Sequence, residues 1–310
     1  MRSIVLSLAL AVILGLALPS GVRASTDADT QLHLLTTYAP RVWLAPGEEY
    51  MPSSVDWAFE RLVRFRNPED GRYWVRTRQA LDSPSDDSLA VFAGHLASAP
   101  VYAFWVDKGE VVDLVYFFFY PYKRGKEILD TMWGNHVGDW EHITVRLERS
   151  SGGAALEPRQ VYISAHDFGG AYPWESLEKV DTHPIVYAAK GSHGVWKDPG
   201  NHEYKDLGLL GDLVDHCGEG TAWDTWERLE AFDFAAKQGL GDTVWPVWMG
   251  SDFENPGSGA DPTDPASGPI YRWGNTKEGC GAEFVSGECR LNDGPTGPNS
   301  KGVWSPDVFE

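Results

Sequence analysis

The sequence predicts an all-β protein: a single, jelly-roll-like β-sandwich with long loops, few short helices and a Gly/Pro-rich C-terminal tail. Two observations lead there. Short apolar runs rich in β-branched and aromatic residues recur along the 310 residues, punctuated by Gly, Pro, Asn and Asp, with no repeat of fixed period. Fourteen Trp, 12 Tyr and 13 Phe supply the large side chains that fill the space between two sheets.

Taken in order, the chain opens on one early charge (Arg2), an apolar run from Ile4 to Leu18, then Pro19, Gly21 and Val22-Arg23-Ala24. This layout is that of a secretory signal peptide over residues 1–24, cleaved before Ser25. Its apolar core is shorter than the ~20 residues that span a bilayer as a helix. No later segment is apolar enough to cross a membrane, so an exported, soluble protein is expected, with a sandwich over 25–250 and a tail over 251–310.

Leu34–Leu44 reads as a first strand broken at Pro40, and Ser53 or Ser54 as the cap of a short helix reaching Leu62. Residues 67–88 are polar and turn-rich. Val101–Val106 and Val111–Tyr122 flank Asp107-Lys108-Gly109-Glu110, the clearest hairpin signal in the chain. Leu114–Tyr120 is apolar at every position, so it is expected to be a central strand covered on both faces. Arg159–His166 and His183–Tyr187 are further strands, and Glu227–Ala236 is the one helix candidate of moderate length. Beyond Ser251, Gly and Pro dominate, as in Asn255–Pro265 and Gly294–Pro298; this tail is expected to drape over the domain, pinned by Trp273 and Trp304. Three cysteines permit more than one pairing. Cys280 with Cys289, across a short Gly-containing segment, is the expected disulfide, leaving Cys217 buried or free.

The formal charge is −19, and loss of Arg2 and Arg23 with the leader takes it to −21. Such a balance argues against nucleic acid, which demands a basic footprint, and against simple adsorption to anionic lipid. It suits attraction of cations.

The chemistry concentrates in Gly134-Asn135-His136-Val137-Gly138-Asp139-Trp140-Glu141-His142, which runs into the strand-like Ile143-Thr144-Val145-Arg146-Leu147. On a strand, Asp139 and Glu141 project to the same side as Ile143, Val145 and Leu147, the side that should be buried. Two adjacent carboxylates there need a cation, or one must be protonated. A divalent ion such as calcium, magnesium or manganese, held by His136, Asp139 and Glu141, answers that need without an organic cofactor. An ordinary capping network is the bland alternative. Two more strand ends, at His166 and His193, each deliver an imidazole beside glycines, which points to one shared rim.

These residues resemble the vacuolar protein sorting-associated protein 62 family. The resemblance rests on Tyr116–Lys126, the Gly134–His142 stretch, Ser164-Ala165-His166, His183–Tyr187, Gly191-Ser192-His193-Gly194, Asp293–Lys301 and Trp304. The family name implies delivery to the vacuole but no reaction. A more distant similarity is to the necrosis- and ethylene-inducing toxin family, whose Gly-His-Arg-His-Asp-Trp-Glu motif helps bind a divalent cation. Its His, Asp and Glu spacing is matched by His136, Asp139 and Glu141, with Asp130 the nearest upstream acid. Asn135 is inserted before the histidine, and Val137-Gly138 replaces Arg-His, so cytolysis is not implied. The resemblance implies a β-sandwich with a metal at one rim, facing a sugar or lipid head group.

Three functions compete. The first is a secreted or vacuole-directed protein that binds a cation and, through it, a glycan or lipid head group, with Tyr172, Trp174 and His193 touching the ligand. The second is a metal-dependent hydrolase with His166 or His193 as general base. The third is a sorting or interaction factor of the secretory pathway with a structural metal.

Overall fold

The computed structural model describes residues 26–68, 73–150, 155–166, 168–206, 212–249, 271–281, 283, 287–304 and 309. The expected leader over 1–24 and the Asn255–Pro265 part of the tail lie outside them. Two sheets face each other as a β-sandwich. The larger runs in spatial order Phe168–Pro173, Leu156–Ala165, His136–Arg149, Val111–Lys123, Val101–Asp107, Leu229–Asp233 and Gln238–Gly239. The smaller orders Lys179–Val180, His183–Ala188, Arg41–Leu44 and Thr221–Asp224, with Val195–Trp196 paired to His183–Ala188.

The core between them is built by alternation. Leu114, Tyr116, Phe118, Ile143, Val145 and Leu147 of the large sheet meet Val42, Leu44, Val186, Ala188 and Trp223 of the small one. The intervening residues Val115, Phe117, Phe119 and Trp140 face the other way. There they are covered by a short helix (Val55–Phe59), by Leu62 and Val75, and by Trp248, Trp273 and Val303. The sandwich therefore carries a third, irregular layer. Burial on both faces is why Leu114–Tyr120 reads as an unbroken apolar run.

The predicted hairpin forms as Val101–Asp107 and Val111–Lys123, in register Tyr102 to Phe117. Ser54 caps the short helix, accepting from the Trp57 amide at 3.0 Å, but the helix ends at Phe59, short of the expected Leu62, which opens the strand Leu62–Arg66.

Two further expectations are corrected. Leu34 does not begin a strand: Ala28–Thr37 is a helix capped by Asp27, whose carboxylate accepts from the Thr30 amide at 2.9 Å. Gln31 and Leu35, one turn apart, are its buried residues, and the strand starts only at Arg41, beyond Pro40. The second correction concerns Glu227–Ala236. Leu229–Asp233 is a strand, parallel to Val101–Asp107, with Leu229 opposite Val101 and Phe232 opposite Phe104. Ala231 and Phe232 are both fully buried on opposite faces, so sheet packing overrides helix propensity.

The C-terminal segment is fastened to the outer layer. Tyr271–Arg272 adds in parallel to Tyr73–Thr77, Trp273 is buried, and Trp304 stacks on Phe234 at 4.0 Å. Cys280 and Cys289 form a disulfide, and Cys217 is free and half-buried. Among the described residues no helix is long and apolar enough to cross a membrane.

Candidate functional site

At one rim of the sandwich the strand His136–Arg149 begins, paired with the end of Val111–Lys123 so that Asp139 opposes Tyr120 and His136 opposes Lys123. Tyr120 belongs to the inter-sheet core, as do Ile143 and Val145. Asp139 and Glu141 thus enter that core at its open end, and both are at most 5 % exposed. Gly138 makes the entry possible. Its φ is +73°, and a Cβ there would stand 2.1 Å from the Trp273 carbonyl oxygen, so only glycine lets the C-terminal segment lie against the motif.

His136 donates from Nδ1 to the Gly138 carbonyl at 2.6 Å. That bond fixes the tautomer and leaves the Nε2 lone pair directed away from the backbone, 3.9 Å from Asp139 Oδ1. Burial holds the His136 pKa down, to about 4, against the pull of Asp139. Asp139 accepts from the Trp140 amide at 3.1 Å and from His193 Nδ1 at 3.1 Å. Burial opposes its ionisation, but the His193 bond and the His136 and His193 rings outweigh burial and bring its pKa to about 2. Glu141 goes the other way. Its burial and the neighbouring Asp139 charge push its pKa well above the carboxylate range, although Ser164 Oγ donates to its Oε2 at 3.0 Å.

His193 is fully buried with a left-handed φ of +61°, and its Nε2 has no hydrogen-bond partner. His166 also has a left-handed backbone, φ +56°. Two non-glycine residues in this costly conformation beside one rim mark a locally over-determined structure.

A second network, centred on Asp215, was not singled out as functional by sequence reasoning. Asp215 is fully buried on the strand Asp212–Cys217 and draws four donors. Ser192 Oγ lies at 2.5 Å and Lys126 Nζ at 3.0 Å from Oδ1, with His166 Nε2 at 2.8 Å and Trp196 Nε1 at 2.9 Å from Oδ2. Burial raises its pKa, yet the His166, Lys126 and Ser192 partners leave it well below the usual range. Gly194 permits this assembly, since a Cβ there would stand 2.9 Å from Asp215 Oδ2. The only sequence signal was Asp215 alternating with Leu213 on a strand, which does not reveal its partners.

The two networks border one cavity of about 480 Å³, faced by His136, Asp139, Glu141, His166, Ser192 and Tyr204, with lysines on its walls. Tyr204 stacks on His166 at 4.0 Å. Of the residues singled out from sequence, His136, Asp139, Glu141 and His166 therefore share the cavity. His193 braces Asp139 without facing it. Trp174 is 7 % exposed in the core beside Tyr38, and Tyr172 packs on that core under Lys197, so the structure does not bring either to the cavity.

The donor set suits a hard divalent ion: one imidazole with its lone pair freed, one ionised carboxylate and one carboxyl whose second oxygen is not taken by Ser164. The 3.9 Å between His136 Nε2 and Asp139 Oδ1 is a span that one ion, bonded at ~2.0–2.6 Å to each, covers. Glu141 stands further off. Among the described residues the three potential ligand atoms lying within 4.8 Å of one another are those of Cys280, Glu283 and Cys289, and there the two sulfurs are consumed by the disulfide.

Residues 61–211 match the model of the family described as vacuolar protein sorting-associated protein 62. Vacuolar protein sorting-associated protein 62 of Saccharomyces cerevisiae is 35% identical over 147 residues, covering 42% of this chain and 30% of that protein. A second yeast protein with the vacuolar protein sorting-associated name, TDA6, is 29% identical over 226 residues, covering 66% of this chain and 45% of its own. The chain thus spans less than half the length of the curated relatives it matches. Among solved structures, the Necrosis and Ethylene inducing Protein 2 from the causal agent of cocoa's Witches Broom disease superposes with a TM-score of 0.34 at 20% identity, covering 53% of this chain and 67% of that one. NLPPya in complex with mannosamine gives a TM-score of 0.34 at 15% identity, over 71% and 85%. Both superpositions are loose and set no residue correspondence.

Proposed function

For a chain whose residues 61–211 form a segment of the vacuolar protein sorting-associated protein 62 type, we propose that the rim cavity binds a divalent cation at His136, Asp139 and Glu141 and, beside it, a glycan or lipid head group. The observation that carries this reading is the His136 tautomer. Its Nδ1 is spent on the Gly138 carbonyl, and its Nε2 is left facing an ionised carboxylate across 3.9 Å. Such backbone anchoring of a ligating imidazole is the usual support of a metal site. When bound, the ion supplies positive charge and open coordination positions for ligand oxygens. The chain's own residues orient the ligand. Tyr204 lies flat on His166 at the cavity wall and supplies an aromatic surface for a sugar ring. The kinship with vacuolar protein sorting-associated proteins, together with the leader-like N-terminus, supports a route through the secretory pathway to the vacuole or the exterior.

Calorimetry with calcium, magnesium and manganese on the wild type and on Asp139→Asn tests the reading. The wild type is expected to bind one ion and the variant to bind at least tenfold more weakly. Equal binding, or none in either protein, removes it.

A hydrolase is the second reading, favoured by one arrangement. His166 faces the cavity with Nε2 held by the buried Asp215, as a carboxylate orients a general base. Ser192 donates to Asp215 and not to His166, so any nucleophile would be a water. Turnover of a glycosyl, ester or phosphodiester library that disappears in His166→Ala would promote this reading over the first.

A further inference from the structure

The net charge of the chain is −19, yet five of its 26 Lys and Arg side chains face this 480 Å³ cavity against three carboxylates. Three of the five are already engaged: Lys126 with Asp215 at 3.0 Å, Arg124 with Asp87 at 3.7 Å and Lys205 with Glu288 at 3.8 Å. Lys123 and Lys301 are different. Both are half-buried, and among the described residues neither ammonium makes an ion pair within 4.0 Å. They reach the cavity from separate parts of the fold. Lys123 ends the central strand opposite His136, and Lys301 follows the turn Pro298–Ser300 in the C-terminal segment.

A half-buried lysine gives up part of its hydration, and a counter-charge offsets that loss. Both lysines act through space on Glu141, and Lys123 also on Asp139, but neither acid closes an ion pair with them. Asp139 is already held by His193 and the Trp140 amide, and Glu141 is held by Ser164. We propose that Lys123 and Lys301 form an oxyanion subsite, so that the ligand of this cavity carries a phosphate group. The inference rests on the reading of the cavity as a ligand site and names the class of ligand. Lysine suits it, as a compact point charge with three donors that reach phosphate oxygens. A cation at Asp139 would add positive charge on the same wall and strengthen the preference. The phosphate has two possible carriers, a soluble sugar phosphate or a lipid head group.

The test titrates the full chain with glucose, glucose 6-phosphate and inorganic phosphate, in chelator and again in calcium. Phosphatidylcholine vesicles containing either phosphatidylinositol or phosphatidylinositol 4-phosphate are titrated in parallel. Glucose 6-phosphate, or the phosphatidylinositol 4-phosphate vesicle, is expected to bind at least tenfold more tightly than its partner lacking the monophosphate group, and the responding arm identifies the carrier. The double variant Lys123→Gln/Lys301→Gln should lose that preference, whereas Lys123→Arg/Lys301→Arg, which keeps the charge and guards against a folding defect, should retain at least half of it. No preference in either arm, or a preference that survives in the glutamine variant, overturns the proposal. Calcium binding without a phosphate preference overturns this inference alone. A phosphate preference in chelator without any cation binding removes the metal reading and leaves the lysines standing.

Discussion

The His193 imidazole lies flat on the Tyr120 ring, with 3.8 Å between centroids and 5° between planes, while its Nδ1 donates to Asp139. One residue is thereby fixed by stacking and by a charge-assisted bond at once, although its backbone sits in the left-handed region.

Replacing His193 by Ala leaves the buried Asp139 carboxylate without its imidazole partner. A loss of about 3–5 kcal/mol is expected, as for breaking a buried pair on one side. Tyr120→Phe keeps the stacked ring and deletes a buried hydroxyl that has no partner, so its stability should stay within about 1 kcal/mol of wild type. Urea unfolding of both variants decides; a His193→Ala loss no larger than that of Tyr120→Phe would mean that the carboxylate bond does not hold the rim.

Asp215 sets a pH dependence with a definite sign. Its folded-state pKa lies below the ordinary 3.8, despite burial, because His166, Lys126 and Ser192 favour the carboxylate. Its stabilisation is therefore complete above about pH 4 and is lost as pH falls from there through the lower folded value. Wild-type stability should drop as pH falls from about 4 toward 2, and Asp215→Asn should show a flatter profile over the same range. Denaturant midpoints measured at half-unit steps would reveal parallel profiles if the four donors contribute nothing.

Gly138→Ala would place a methyl group 2.1 Å from the Trp273 carbonyl oxygen at a φ of +73°. Destabilisation of more than about 2 kcal/mol is expected, because backbone strain and a backbone clash combine. Hydrogen exchange should show it first at the Trp273 amide, which donates to the Pro295 carbonyl at 3.0 Å. Unchanged protection there would show that the C-terminal segment holds without this close approach.

The parts of the fold that could be read from sequence were those whose signal is local. The Val101–Tyr122 hairpin is written in two apolar runs and a Gly-containing turn, and the common orientation of Asp139 and Glu141 follows from strand parity. The helix at Ala28–Thr37 was hidden because Leu34 and Leu35 continue into the apolar Val42–Leu44, so a helix and a strand merged into one run. Leu229–Asp233 was hidden because its strand character comes from parallel pairing with residues more than a hundred positions away. The same distance conceals the site. Asp139 meets His193 54 residues on, and Asp215 meets His166 49 residues back, pairings that no spacing rule anticipates.

The Trp273–Gly138 contact bears on how the cavity comes into being. Lys301 and the segment that carries it leave the ribosome after every sandwich strand. The sheets can therefore be complete while one wall of the pocket is still missing. Ligand capture would then be withheld from nascent and half-finished chains until this segment lies against the sandwich.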